Sequence, residues 1–143
     1  MEDIKIVTRS AKETEDLAFN IASQVKPPHV ICLIGNLGAG KTAFTRGFAR
    51  FFGIEDGVAS PTFTILMRYS GTCEINHYDL YRAESFDELC DIGFEDQIED
   101  GISLIEWPDE FLDYLPDDKI IVRINYTDNE DEREITVEGL QHI

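Results

Sequence analysis

Gly35-Asn36-Leu37-Gly38-Ala39-Gly40-Lys41-Thr42 is a complete G-x-x-x-x-G-K-[ST] phosphate-binding loop. The apolar, β-branched run Val30-Ile31-Cys32-Leu33-Ile34 precedes it and reads as a buried strand. Ala43-Phe44-Thr45-Arg46-Gly47-Phe48-Ala49-Arg50-Phe51-Phe52 follows and reads as a helix. Strand, glycine loop and helix together form the context that the motif requires. Glycines at 35, 38 and 40 let the chain turn sharply, so that bare backbone N–H groups converge on an anion. The helix start adds the positive end of its dipole. Lys41 then offers a point charge to the β- and γ-phosphates, and the Thr42 hydroxyl can coordinate Mg²⁺. A plain turn after a strand would need one or two glycines, without Gly-Lys-Thr opening a helix.

The flanking sequence supplies the rest of an α/β layout. Ile4–Thr8 is a strand candidate, and Ser10-Ala11-Lys12-Glu13 is a capping box. Leu17, Ala18, Ile21, Ala22 and Val25 mark one helical face, which Pro27-Pro28 closes. Gly53 is a plausible left-handed cap for the helix after the loop. The runs at 65–69 and 74–80, joined by Ser70-Gly71-Thr72, predict an antiparallel hairpin. Ser85-Phe86-Asp87-Glu88 is a second capping box, for a helix that Gly93 closes, and a short helix over 94–99 follows. Ile102–Trp107 contains a buried strand with an acidic end, and Pro108 opens a short helix through Phe111 and Leu112. Strands at 120–126 and 134–138 flank the acidic turn Asp128-Asn129-Glu130-Asp131. βαβ units mixed with hairpins predict an α/β, three-layer fold of P-loop NTPase type, with a mixed central sheet.

Length and composition narrow the class. The 143 residues predict a single P-loop domain over 1–143, long enough to bury roughly 68–70% of its unfolded surface. No apolar run approaches the ~20 residues of a membrane span. Met1-Glu2-Asp3-Ile4-Lys5 lacks a signal-peptide pattern, so the expected location is cytoplasmic. Cys32, Cys73 and Cys90 show no C-x-x-C spacing, and H-E-x-x-H is absent, so no zinc site is expected. A net charge of −17 repels nucleic-acid backbones, so any RNA would be held by a different subunit. Simple solubility is an equal explanation for that charge.

Hydrolysis needs more than a phosphate loop. A carboxylate at a strand end must support the metal, and a further group must place the water. Asp79 in His77-Tyr78-Asp79-Leu80 and Glu106 in Leu104-Ile105-Glu106-Trp107 are the two candidates. Glu106 ends the more apolar strand and is the better metal-side ligand, while Asp79 would complete the metal shell or orient water. Pairing with the nearby Arg82 is the structural alternative for Asp79. Ser60-Pro61-Thr62 reads as a switch loop or as a proline turn. Trp107 is the single tryptophan, with a core role or a nucleotide-facing or partner-facing role. The guanine motif N-K-x-D is missing, which favours ATP. The region after Glu106 offers no obvious arginine-bearing lid for a small-molecule kinase.

Four blocks in order now carry a resemblance. Gly35–Thr42, Ser60-Pro61-Thr62-Phe63-Thr64, His77-Tyr78-Asp79-Leu80-Tyr81-Arg82 and Ile105-Glu106-Trp107-Pro108 resemble the signature blocks of the TsaE family. The likeness runs over nearly the whole chain. It implies a P-loop ATPase of weak intrinsic activity in bacterial tRNA threonylcarbamoyladenosine biosynthesis. That family binds a TsaB–TsaD heterodimer, which modifies the adenosine beside the anticodon of tRNAs reading codons that begin with A. ATP hydrolysis supports its turnover. The resemblance further implies that Lys41 binds phosphate, that Thr42 and Glu106 ligate Mg²⁺, and that Asp79 is required for hydrolysis. It places Thr62 at a switch-like position, Trp107 in an activity-linked block and Arg133 near the nucleotide, alongside Gly35, Gly38, Ala39 and Gly40. Two other readings stay open: a nucleotide-gated interaction module and a small-molecule kinase.

Overall fold

The structure is a computed structural model that describes residues 3–36, 38–55, 58 and 65–140. The chain runs β1 (Ile4–Thr8), α1 (Ala11–Ala22), β2 (Val30–Ile34), α2 (Lys41–Phe51), β3 (Leu66–Ser70), β4 (Glu74–Asp79), α3 (Phe86–Asp91), α4 (Phe94–Gln97) and β5 (Ile102–Glu106). A 3₁₀ helix, Asp109–Tyr114, leads to β6 (Ile120–Tyr126) and β7 (Arg133–Glu138). All seven strands join one sheet in the order β1-β7-β6-β2-β5-β4-β3. The four central strands are parallel, and both margins are antiparallel. The mixed sheet follows from loop length: hairpins can make only antiparallel pairs, and parallel pairs need a crossover.

Helices cover both faces, which makes three layers. On one face α1 and α2 bury Leu17, Ile21, Phe44 and Phe48 against Leu33 and Leu104. On the other, α3, α4 and the 3₁₀ helix bury Leu89, Phe94 and Phe111 against Cys32, Tyr78 and Ile105. Strands covered on both faces must be apolar throughout, and β5 is buried at every residue. Burial pushes the Cys32 thiol up to about 12, so it behaves as a small apolar side chain.

The local signals account for most element ends. The Glu13 N–H donates to Ser10 Oγ at 3.1 Å, and the Glu88 N–H to Ser85 Oγ at 3.3 Å, as the capping boxes require. Gly53 and Gly93 both sit at positive φ just past a helix. Differences are confined to edges. Helix α2 begins at Lys41, two residues before the apolar run, because Gly40 takes the left-handed cap. The short helix expected after Pro108 is present and is of 3₁₀ type. Such short pieces gain too little from i→i+4 bonding to hold α geometry.

Candidate phosphate-binding site

Parallel strands deliver their carboxyl ends to one edge of the sheet, and the loops there make the crevice. Strand β2 runs into the glycine loop. Its neighbour β5 ends in Glu106, and β4, on the far side of β5, brings Asp79 into direct register with that residue. Leu33 of β2 pairs with that same Glu106. The two acidic residues, 27 positions apart in sequence, are therefore cross-strand neighbours about 4.8 Å apart in the backbone.

Gly38 has φ 78° and Gly40 φ 112°, values that a side chain would strain. The Ala39 N–H donates to the Asn36 carbonyl at 3.0 Å, closing the turn. Ala39 is fully buried, and Gly35 lies against Ile124 of β6. Thr42 follows Lys41 in the first turn of α2.

Lys41 is the most informative side chain. It is only 6% exposed, yet its Nζ makes no hydrogen bond among the described residues. The nearest carboxylate oxygen, Glu106 Oε1, is 3.8 Å away, an ion pair too long to be a hydrogen bond. The Trp107 ring lies beneath the ammonium, 4.0 Å from Nζ to its centroid. Burial lowers the affinity of Lys41 for its proton, against the pull of Glu106, Asp79 and Asp109. A desolvated ammonium with open donors at a glycine loop fits a phosphate oxygen.

Glu106 is 3% exposed and carries the rest of the network. Its Oε2 lies 2.6 Å from His77 Nε2, and His77 Nδ1 lies 3.1 Å from the Tyr69 hydroxyl. Among the described residues no three His, Cys, Asp or Glu side chains cluster as a metal cage. The Glu106 carboxylate and the Thr42 hydroxyl are oxygen donors of the kind that Mg²⁺ takes alongside phosphates and water.

Asp79 Oδ1 accepts from the Tyr81 N–H at 3.0 Å, and no ion pair with Arg82 occurs among the described residues. Burial is the main cause that raises Asp79 above its ordinary 3.8; the Tyr81 N–H pulls it back, and Glu106 adds to the rise. From 3.8 up to the raised value, the folded chain holds a proton that the unfolded chain has lost. Stability from this group therefore falls as pH rises through that window. Asp79→Asn, which keeps the acceptor for Tyr81, is expected to raise stability at pH 7 by about 0.5–1 kcal/mol. Thermal unfolding at several pH values checks this, and the gain should shrink as pH approaches 4.

Trp107 is held at φ 57°, a left-handed conformation rare for an aromatic residue and rarer before a proline. The bend carries its ring off the strand to lie under the Lys41 ammonium, 4.9 Å from the Tyr81 ring. It is not a core tryptophan. Arg133 starts β7 and reaches the loop: Nε donates to the Ala39 carbonyl at 3.0 Å, and Nη1 donates to the Glu130 and Glu132 carbonyls. A cleft of about 390 Å³ beside the loop is lined by Arg9, Ser10, Thr14, Gly38, Gly40 and Arg133. Thr62 lies outside the described residues. His77 and Tyr69 were not singled out from the sequence. The signal was present, since His77 sits two residues before Asp79 on one strand and so shares its face.

Residues 8–135 match the family described as threonylcarbamoyl adenosine biosynthesis protein TsaE. The chain belongs to the TsaE family. A relative from Bacillus subtilis (strain 168), named tRNA threonylcarbamoyladenosine biosynthesis protein TsaE, is 41% identical over 138 residues. The match covers 95% of this chain and 85% of that protein. A relative of the same name from Treponema pallidum (strain Nichols) is 33% identical over 135 residues, covering 94% of this chain and 99% of that one. The crystal structure of Bacillus subtilis YdiB superposes with a TM-score of 0.78 at 36% identity, covering 95% of this chain and 84% of that chain. The TsaE chain described here therefore has a P-loop NTPase-like fold. No helix among its described residues is long and apolar enough to cross a membrane.

Proposed function

We propose that this chain is the Mg²⁺-dependent ATPase subunit that supports threonylcarbamoyl modification of the tRNA adenosine beside the anticodon. It acts in the cytoplasm on a TsaB–TsaD heterodimer and meets tRNA through that complex. The pathway rests on family membership and on relatives named for tRNA threonylcarbamoyladenosine biosynthesis. The nucleotide rests on one observation: a buried Lys41 ammonium, at the mouth of a glycine loop, that makes no hydrogen bond among the described residues.

In this reading the loop N–H groups and the start of α2 grip the β-phosphate, and Lys41 leaves Glu106 for the phosphate oxygens. Trp107 and the strand ends screen the ammonium from water, which strengthens that contact. Thr42 and Glu106 would hold Mg²⁺, which neutralises charge developing on the phosphates. Asp79, one oxygen fixed by Tyr81, stands beside Glu106 to orient the attacking water. Thr62 is the switch candidate that senses the last phosphate. The cleft between Arg9 and Arg133 is large enough for the nucleoside end. One ammonium facing Glu106, Asp79 and Asp109 leaves the vicinity acidic, so nucleotide should enter only together with its cation.

Two measurements test the reading. Trp107 fluorescence reports binding, because the ring lies under Lys41. Addition of ATP with Mg²⁺ should change it, and EDTA should reverse the change. In a reconstituted TsaB–TsaD reaction with tRNA, repeated turnover should need both this chain and ATP. Glu106→Ala should retain some ATP binding yet lose that support. Full support by Glu106→Ala would instead favour a nucleotide-gated module. Phosphate transfer to an added metabolite in preference to water would favour a kinase.

A further inference from the structure

Glu106 presents its two carboxylate oxygens to different partners. Oε1 faces Lys41 at 3.8 Å, and Oε2 meets His77 Nε2 at 2.6 Å. The second contact lies inside the sheet–helix interface, where His77 is 1% exposed. An ionised carboxylate has no proton to give, so Nε2 carries the hydrogen. In the neutral ring Nδ1 is then the acceptor, and the Tyr69 hydroxyl, 3.1 Å away, donates to it. Tyr69 and His77 stand on the two strands of the β3–β4 hairpin, while Glu106 ends the adjacent strand β5.

A carboxylate buried to this degree costs several kcal/mol in lost hydration unless hydrogen bonds replace the water. Two oxygens on a freely rotating carboxyl would also be interchangeable. A short, charge-assisted bond to one of them removes that freedom and leaves the other aimed at the phosphate loop. We propose that His77, held by Tyr69, is a positioning residue that locks the Glu106 carboxylate with Oε1 towards Lys41 and the phosphate loop. This inference rests on the proposed role of Glu106 toward Mg²⁺. It adds that the hairpin edge, far from the loop in sequence, sets the orientation of that ligand. A core histidine that merely fills space would affect stability alone. A positioning histidine governs the metal dependence of nucleotide binding, because outer partners of ligating carboxylates keep the ligand oriented.

The experiment compares wild type, His77→Gln and His77→Leu. Mg²⁺ is titrated at fixed concentration of a non-hydrolysable ATP analogue, with Trp107 fluorescence as readout and thermal unfolding in parallel. Glutamine places an amide N–H where Nε2 stood; leucine offers none. His77→Leu should need about 10–100-fold more Mg²⁺, and His77→Gln should recover most of that loss. A folded His77→Leu protein with the wild-type Mg²⁺ dependence would overturn the proposal. Nitrogen-15 NMR of wild type decides the matter without any substitution: the His77 ring should show a slowly exchanging Nε2–H and an Nδ1 acceptor. The opposite tautomer would also overturn it. A wild-type chain that bound the analogue with no need for Mg²⁺ would instead remove the proposed function beneath it, which is a distinct result.

Discussion

Lys41→Ala should lower ATP hydrolysis by about 10²–10³-fold, the usual effect of deleting one preorganised donor to a developing charge. The fold should survive. The Lys41 ammonium makes no hydrogen bond among the described residues, so its removal breaks none and costs only the 3.8 Å ion pair to Glu106 Oε1. Glu106 keeps its bond to His77. The pH dependence has a definite sign. Burial pulls Lys41 below its ordinary 10.5, so between the lowered value and 10.5 the unfolded chain carries a proton that the folded chain has shed. Stability from this group rises with pH over that window, and Lys41→Ala should abolish that rise. Steady-state hydrolysis and unfolding curves near pH 7 and pH 10 check both parts. An unchanged hydrolysis rate would remove this loop from the chemistry.

Gly47→Ala should be strongly destabilising, even though alanine suits a helix better than glycine by about 1 kcal/mol. Gly47 lies within α2, and a Cβ there would fall 2.1 Å from the Glu15 carbonyl oxygen on α1. That neighbour is backbone and cannot swing aside as a side chain would. The helices would have to separate along a seam that includes the Phe19–Phe51 edge contact at 5.3 Å and the Arg50–Asp16 pair at 3.2 Å. The expected loss is about 3 kcal/mol, the upper part of the range for overpacked sites. Urea unfolding measures it. Because α2 also carries Lys41 and Thr42, nucleotide affinity should weaken in parallel. A variant as stable as wild type would mean that the helices can part at little cost.

Much of this architecture was legible because its signals are local. Strand β2, the loop and α2 are consecutive, and each has its own period or turn residue. The capping serines Ser10 and Ser85 mark two helix starts through bonds to residues three positions on. Lys41 could be named from the loop motif itself, and Asp79 and Glu106 because each is a carboxylate at the end of a readable strand. What escaped notice depends on pairing. His77 touches Glu106 only because β4 lies beside β5, and strand order is not written in either strand. Gly47 carried no signal in the sequence; only the crossing of α1 over α2 gives it a reason. Trp107 was open between core and site; its positive φ, a backbone property, turned the ring onto Lys41.

By itself the sequence determined the phosphate loop, the helix and strand periods and the family, since each is carried by residues near one another in the chain. Tertiary structure alone decided which face each strand shows to which neighbour. It brought a hairpin histidine and tyrosine behind a distant glutamate, and it drew the Arg133 guanidinium to the carbonyl of Ala39. The physical reason is range. Dihedral preferences and side-chain periods act over a few residues, whereas the burial of two apolar sheet faces is settled by the whole sheet at once.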